Sequence, residues 1–298
     1  MPWGRHTTIG TAHASHSATQ HSSSSWNHGV SRAASHSSQS GSWRWPVTAA
    51  EAATASGRRF VDESGARSVK STNRRRIAPD SVGPVATPHS TSAYADAPKS
   101  GSGPGVLVLH SWWGLNDAIK DRCNQLADAG FTVVAPDLFD GEVVRDDAHG
   151  EQLLADADAN RLVLGVQSTA DALHRMPATE GSRIMVVGFS MGASLGLWFS
   201  ERFPDQVSAV VGYYGTQSID FKATMSAYQL HLAEDDAMVD PDELALMEAS
   251  FGLAGRPVEV HTYEGVAHHF AEAGTPNYDA DAADLAWQRT IEFLRRHA

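Results

Sequence analysis

One doubly wound, mostly parallel α/β sheet with helices on both faces is the fold class the sequence predicts, and three observations predict it. From about residue 105 onward, short β-branched runs alternate with helical stretches, the pattern of a parallel sheet whose crossovers are helices. These runs are continuously apolar, as in Gly105-Val-Leu-Val-Leu-His110, which is how a strand buried on both faces reads. One of them, Arg183-Ile-Met-Val-Val-Gly-Phe-Ser-Met-Gly192, ends in a serine bracketed by glycines and passes directly into a helical period. Gly188-x-Ser190-x-Gly192 is the strand-to-helix turn that lifts a nucleophile above the end of a sheet. Ser190 must there adopt a strained backbone, and a side chain at 188 or 192 would strike the neighbouring strand or helix.

In chain order, residues 1–84 come first, Ser/His-rich to about Trp45, with histidines at 6, 13, 16, 21, 28 and 36. They hold too little apolar surface to offset chain entropy, so a disordered segment is expected. The histidines lack a fixed ligand spacing, and no metal site is expected of them. A short helix around 49–55 and the basic run Arg74-Arg75-Arg76 complete the segment. An ordered domain is expected over 85–298, opening with an edge strand or strand pair over 85–95 that Pro88 breaks. A buried strand over 105–110 leads into a loop over 111–116 and a helix over 117–128 that stops at Gly130. A strand over 132–136, an acidic connection over 137–147 and helices over 148–157 and 160–175 precede the nucleophile strand. The helix after Ser190 runs to about Phe203, with Ala193, Ser194 and Gly196 small enough to let it lie close on the sheet. Strands over 207–212, 228–232 and 258–263 follow, with helices over 241–251 and 280–296. Asp240-Pro241 reads as an N-cap with proline at the first helical position.

Charge is distributed unevenly. Residues 1–100 carry 11 Lys and Arg against 5 Asp and Glu, and residues 101–298 carry 12 against 30, a formal charge of −18. Such a field repels nucleic acid and anionic membrane alike. The single cysteine, Cys123, excludes an intrachain disulfide and falls in the apolar pattern of a helix, where an inert buried thiol is expected. No run of 18 apolar residues and no apolar signal core occurs, so a cytoplasmic protein is expected.

A serine hydroxyl needs a base to take its proton, and the base needs an acid to fix its tautomer. In sheets of this kind the three arrive in the order serine, acid, histidine, each beyond the C-terminal end of a strand. After the 228–232 strand stand Glu234, Asp235 and Asp236; Asp236 suits the acid, with Asp235 a competitor. After the 258–263 strand stand His268 and His269, of which one can face Ser190. His110, His231 and His261 lie in strands or at their ends and read as hydrogen-bonded structural residues. The oxyanion of an acyl transfer needs donors, for which the amides of Met191 and Trp112 are the candidates.

From about residue 85 to 296 the chain resembles the dienelactone hydrolase family of the α/β-hydrolase superfamily. The resemblance rests on Leu109-His-Ser-Trp-Trp-Gly-Leu-Asn116, Ala135-Pro-Asp-Leu-Phe-Asp-Gly141, Gly188-Phe-Ser-Met-Gly192, Tyr213-Tyr-Gly215, Asp236-Ala-Met-Val239 and the stretch 263–270. It implies an α/β-hydrolase fold and a cofactor-free, metal-free hydrolase of small carboxylic esters or lactones, acting as a monomer or homodimer. It further implies Ser190 as nucleophile, Asp236 as acid and His268 as base, with Ser111, Trp113, Tyr214 and Glu272 around the substrate. Three positions depart from the family pattern: Ser190 where cysteine is frequent, Ser111 where glutamate is frequent, and Glu272 where an arginine holds the substrate carboxylate in lactonases of the family. Dienelactone itself therefore does not follow as the substrate, and neutral esters are expected to be preferred. A small peptidase of the same fold and a non-catalytic binding scaffold are the other readings. Such peptidases usually add a propeller or lid domain, and no stretch of this sequence reads as one.

Overall fold

The computed structural model describes residues 92–298. The disorder expected for 1–84, the short helix within it, and the 85–91 part of the first strand lie outside the described residues. In chain order the elements are β1 (Ala93–Asp96), β2 (Gly103–Leu109), α1 (Asp117–Asp128), β3 (Thr132–Pro136), α2 (Asp147–Asp156), α3 (Ala159–Arg175), β4 (Thr179–Phe189) and α4 (Met191–Arg202). They continue with β5 (Val207–Tyr213), a 3-10 turn (Phe221–Ala223), β6 (Ala227–Ala233), α5 (Pro241–Ala254), β7 (Val258–Tyr263) and α6 (Ala280–His297).

The strands form one seven-stranded sheet in the order β1-β3-β2-β4-β5-β6-β7. Every neighbouring pair is parallel except β1 with β3. Because successive side chains of a strand point to opposite faces, each continuous apolar run supplies both layers of the core. Val106, Val108, Met185 and Val187 join Ile119, Cys123 and Leu126 of α1 and Ala286, Phe293 and Leu294 of α6. Leu107, Leu109 and Val186 join Leu162, Val166 and Leu173 of α3, Leu195 and Phe199 of α4, and Met247 and Phe251 of α5. The sheet is thus covered on both sides, as an α/β-hydrolase sheet is.

Local chemistry sets the helix ends. The Asn116 side chain accepts from the Ile119 amide at 3.0 Å, and Asp240 accepts from the Asp242 amide at 2.8 Å ahead of Pro241. Gly255 closes α5 in the left-handed conformation. Cys123 is fully buried, and burial pushes its thiol up to about 12, which makes it inert at neutral pH.

Two features escape the apolar pattern. β4 begins at Thr179 rather than near Arg183, because Thr179 and Glu180 pair with Gly103 and Pro104 while the stretch 180–183 is exposed and polar. The 3-10 turn is capped by Asp220, whose carboxylate accepts from the Lys222 amide at 3.0 Å. Since β2, β4, β5, β6 and β7 run in one direction, the loops that follow them gather at one end of the sheet, where the polar residues singled out in the sequence are brought together.

Candidate active site

The turn after β4 carries the serine. Ser190 has φ 50° and ψ −116°, outside the regions that L-residues ordinarily occupy. The conformation is held because the Ser190 amide donates to the Tyr213 carbonyl at 2.9 Å and the Ala193 amide donates to the Ser190 carbonyl at 2.9 Å. A Cβ at Gly188 would collide with the backbone of Gly192 and Ala193 in α4, and one at Gly192 with the carbonyl of Leu109 in β2. Both glycines permit the close approach of helix to strand that aims the serine outward. Gly192→Ala should therefore cost about 3 kcal/mol or more of stability, read as a lowered urea midpoint; an unchanged midpoint would show that the turn can relax.

Ser190 Oγ lies 2.8 Å from His268 Nε2. On the other side of the ring, both carboxylate oxygens of Asp236 lie 2.8 Å from His268 Nδ1. The His268 and Asp236 side chains are only 5% and 8% exposed, so water competes little for this pair. Asp236 is itself anchored: its Oδ1 accepts from the amides of Met238 at 3.0 Å and Val239 at 3.2 Å. Asp235 is exposed, and its amide donates to the Val266 carbonyl at 3.3 Å, stitching the acid loop to the histidine loop. Asn277 Nδ2 donates to the His268 carbonyl at 3.0 Å, a second support that no pattern in the sequence signalled.

His269 takes the other direction. It sits at φ 69° and is buried against Trp112, Trp113 and Tyr214, with ring centroids 5.4, 5.8 and 5.7 Å away. Burial, and secondarily the neighbouring His268, pushes its pKa down to about 2, so it stays neutral. Both tryptophans are buried, and Trp112 packs on Gly150 of α2, where a Cβ would meet the indole at 3.0 Å. Among the described residues, the ring nitrogens Trp112 Nε1, Trp113 Nε1 and His269 Nε2 are buried without a hydrogen-bond partner.

The loop after β2 is fixed by His110. Its Nδ1 donates to the Ser111 carbonyl at 2.6 Å while its Nε2 accepts from the Leu138 amide at 3.1 Å. A planar trans peptide with its carbonyl held on His110 directs the Trp112 N–H the opposite way. Burial lowers the His110 pKa, which keeps this tautomer neutral. The Met191 amide opens α4, where the first amides of a helix have no acceptor within the helix. His231, also predicted as structural, bonds to Tyr263, Gln229 and Thr290, and His261 stacks on it.

Ser111, Tyr214 and Glu272, expected around the substrate, are 0%, 0% and 1% exposed, and the two hydroxyls each bond to the carboxylate. Ser111 Oγ donates to Glu272 Oε2 at 2.7 Å and Tyr214 OH donates to Oε1 at 2.9 Å. They form a buried polar layer behind the site rather than an open wall, because each needs a partner that the apolar interior lacks. Burial raises the Glu272 carboxyl to about 7, against the opposing pull of its two hydrogen bonds. No group of three or more His, Cys, Asp or Glu is placed to hold a metal ion among the described residues, and no helix among them is long and apolar enough to cross a membrane.

Residues 91–298 match the sequence profile of the dienelactone hydrolase family. The chain belongs to that family. It is 33% identical over 214 residues to "Protein usf" of Aquifex pyrophilus, covering 68% of this chain and 92% of that one. It is 27% identical over 216 residues to carboxymethylenebutenolidase 1 of Cupriavidus pinatubonensis, covering 68% and 90%. Among solved structures it resembles a dienelactone hydrolase-like promiscuous phosphotriesterase from metagenomic libraries, with a TM-score of 0.58, 23% identity, and coverage of 70% of this chain and 99% of that one. This dienelactone hydrolase-family protein is therefore a hydrolase by descent, with a serine at the elbow.

Proposed function

We propose that this protein hydrolyses small carboxylic esters or lactones through a covalent acyl-serine intermediate. The observation that carries the reading is the unbroken hydrogen-bonded array from Ser190 through His268 to Asp236 at the end of the elbow strand. A carboxylate on Nδ1 keeps the hydrogen on that nitrogen and leaves Nε2 free to accept the Ser190 proton. Ser190 Oγ attacks the acyl carbon as His268 takes its proton, and the amides of Met191 and Trp112 hold the oxyanion. The tetrahedral adduct collapses, the C–O bond to the alcohol breaks, and His268 returns the proton to the departing oxygen. Water then repeats the sequence on the acyl-serine and releases the acid. The carboxymethylenebutenolidase name of one relative supports a carboxylic ester or lactone bond as the target. Residues 101–298 carry a formal charge of −18, which favours neutral substrates over anionic ones.

A fluorophosphonate probe together with a panel of short-chain esters and lactones tests the reading. The parent should label once, on Ser190, and turn over at least one panel member. Absence of both labelling and turnover would refute it and favour a binding scaffold.

A further inference from the structure

We propose that Glu272 is a positioning residue whose carboxylate clamps the loop after β2 and the tyrosine after β5 onto the histidine loop. The inference rests on the ester-hydrolase reading and adds a residue to its machinery. Glu272 lies four residues beyond His268, and its amide donates to the His269 carbonyl at 3.0 Å. From there its side chain reaches both other walls of the site, Ser111 at 2.7 Å and Tyr214 at 2.9 Å. Each contact is passed on. Ser111 Oγ also accepts from the Trp113 amide at 3.1 Å, which pins the loop that presents the Trp112 amide. Tyr214, held at φ 37°, lays its ring 4.9 Å from that of His268.

Only an ionised carboxylate accepts from both hydroxyls at once. A protonated Glu272 carries a hydrogen of its own, so one contact must reverse and leave the Ser111 or Tyr214 hydrogen without an acceptor in a buried place. The groups that meet the Glu272 carboxylate are the hydroxyls of Ser111 beyond β2 and Tyr214 after β5, and on its own loop the Glu272 amide bonds the His269 carbonyl. Arg122 of α1 acts on Tyr213 and Tyr214 at longer range. None of the ion pairs among the described residues involves the carboxylate.

The carboxyl titrates at about 7 in the fold, above its ordinary 4.5. An acid with a raised folded pKa contributes stability that is fully present below its unfolded value and is lost as pH rises through its folded value. The form that holds the loops is thus the form that costs stability. Glu272→Gln should lower activity and raise stability, both on the alkaline side of the titration.

The experiment compares parent and Glu272→Gln on a neutral p-nitrophenyl ester at about pH 6 and about pH 8, with thermal denaturation at both. At about pH 8 the variant should lose about tenfold in kcat with KM within about twofold, and at about pH 6 the two should converge to within about twofold. The variant's Tm at about pH 8 should rise by roughly 3 °C or more. An equal loss at both pH values with a lowered Tm would mean a merely structural role and overturn the proposal, as would an unchanged kcat. A parent that neither labels nor turns over would instead sink the ester-hydrolase reading itself, and the clamp with it.

Discussion

Replacing Ser190 or His268 with alanine should each lower kcat on a short-chain ester by about 10³-fold or more, a loss of at least about 4 kcal/mol of transition-state stabilisation. Either change leaves the other partner without its function, since Ser190 and His268 share one proton across 2.8 Å. Combining the two should cost little more than either alone, as expected of groups that act as a unit. The fold should survive: Ser190 is only partly buried, and the elbow is held by its backbone bonds rather than by its hydroxyl. His269→Ala is the control. His269 packs its ring against Trp112 and Trp113, and the ring nitrogen nearest Ser190 belongs to His268. It should lose stability but far less activity, and a His269→Ala variant more damaged in kcat than His268→Ala would overturn the assignment. Steady-state kinetics with circular dichroism on the same preparations decides the matter.

The sheet was legible because its information is local. Continuous apolar runs such as the one in β2 can be nothing but doubly buried strands when helical periods separate them. Helix ends were legible where a side chain caps them, as at Asp240. What the pattern hid was polar backbone pairing, as in the exposed start of β4, where the hydrogen-bonding partner in β2 rather than any side-chain burial makes the strand.

The site divides in the same way. Ser190 is written in its flanking glycines, and the loops after β6 and β7 follow from strand order. The choice between Asp235 and Asp236, and between His268 and His269, depends on which way a loop side chain turns. Residue chemistry leans to Asp236 without dismissing Asp235 and leaves the two histidines even, and the family pattern was needed to choose one of each. The Glu272 network was hidden for a different reason. Serine at 111 and glutamate at 272 read separately as two departures from the family pattern, yet they are one arrangement in which the carboxylate reaches the β2 loop from the histidine side. A contact between residues 161 positions apart leaves no periodic trace in a single sequence.

Asp236→Asn should be as damaging as removal of the carboxylate altogether, and the reason lies in the backbone around it. Oδ1 of Asp236 accepts from the amides of Met238 and Val239, so an asparagine will keep its carbonyl oxygen on those two donors. Its amide nitrogen then replaces Oδ2 beside His268 Nδ1, 2.8 Å away, while Oδ1, at the same distance from Nδ1, is already shared with the two backbone amides. An N–H group there opposes a hydrogen on Nδ1 and favours the tautomer that carries it on Nε2, against the weaker pull of a neutral carbonyl oxygen at Oδ1. Nε2 faces Ser190 Oγ and, carrying a hydrogen, can no longer take the serine proton. The expected loss is about 10³- to 10⁴-fold in kcat with a much smaller change in KM, because the oxyanion donors and the pocket remain in place. Asp236→Ala removes the same charge but imposes no tautomer, so it should retain at least as much activity as the asparagine variant. If Asp236 acted only by bracing its loop, the order would invert, because asparagine preserves both backbone bonds and alanine none. An asparagine variant within tenfold of the parent would show that the carboxylate does not set the state of His268.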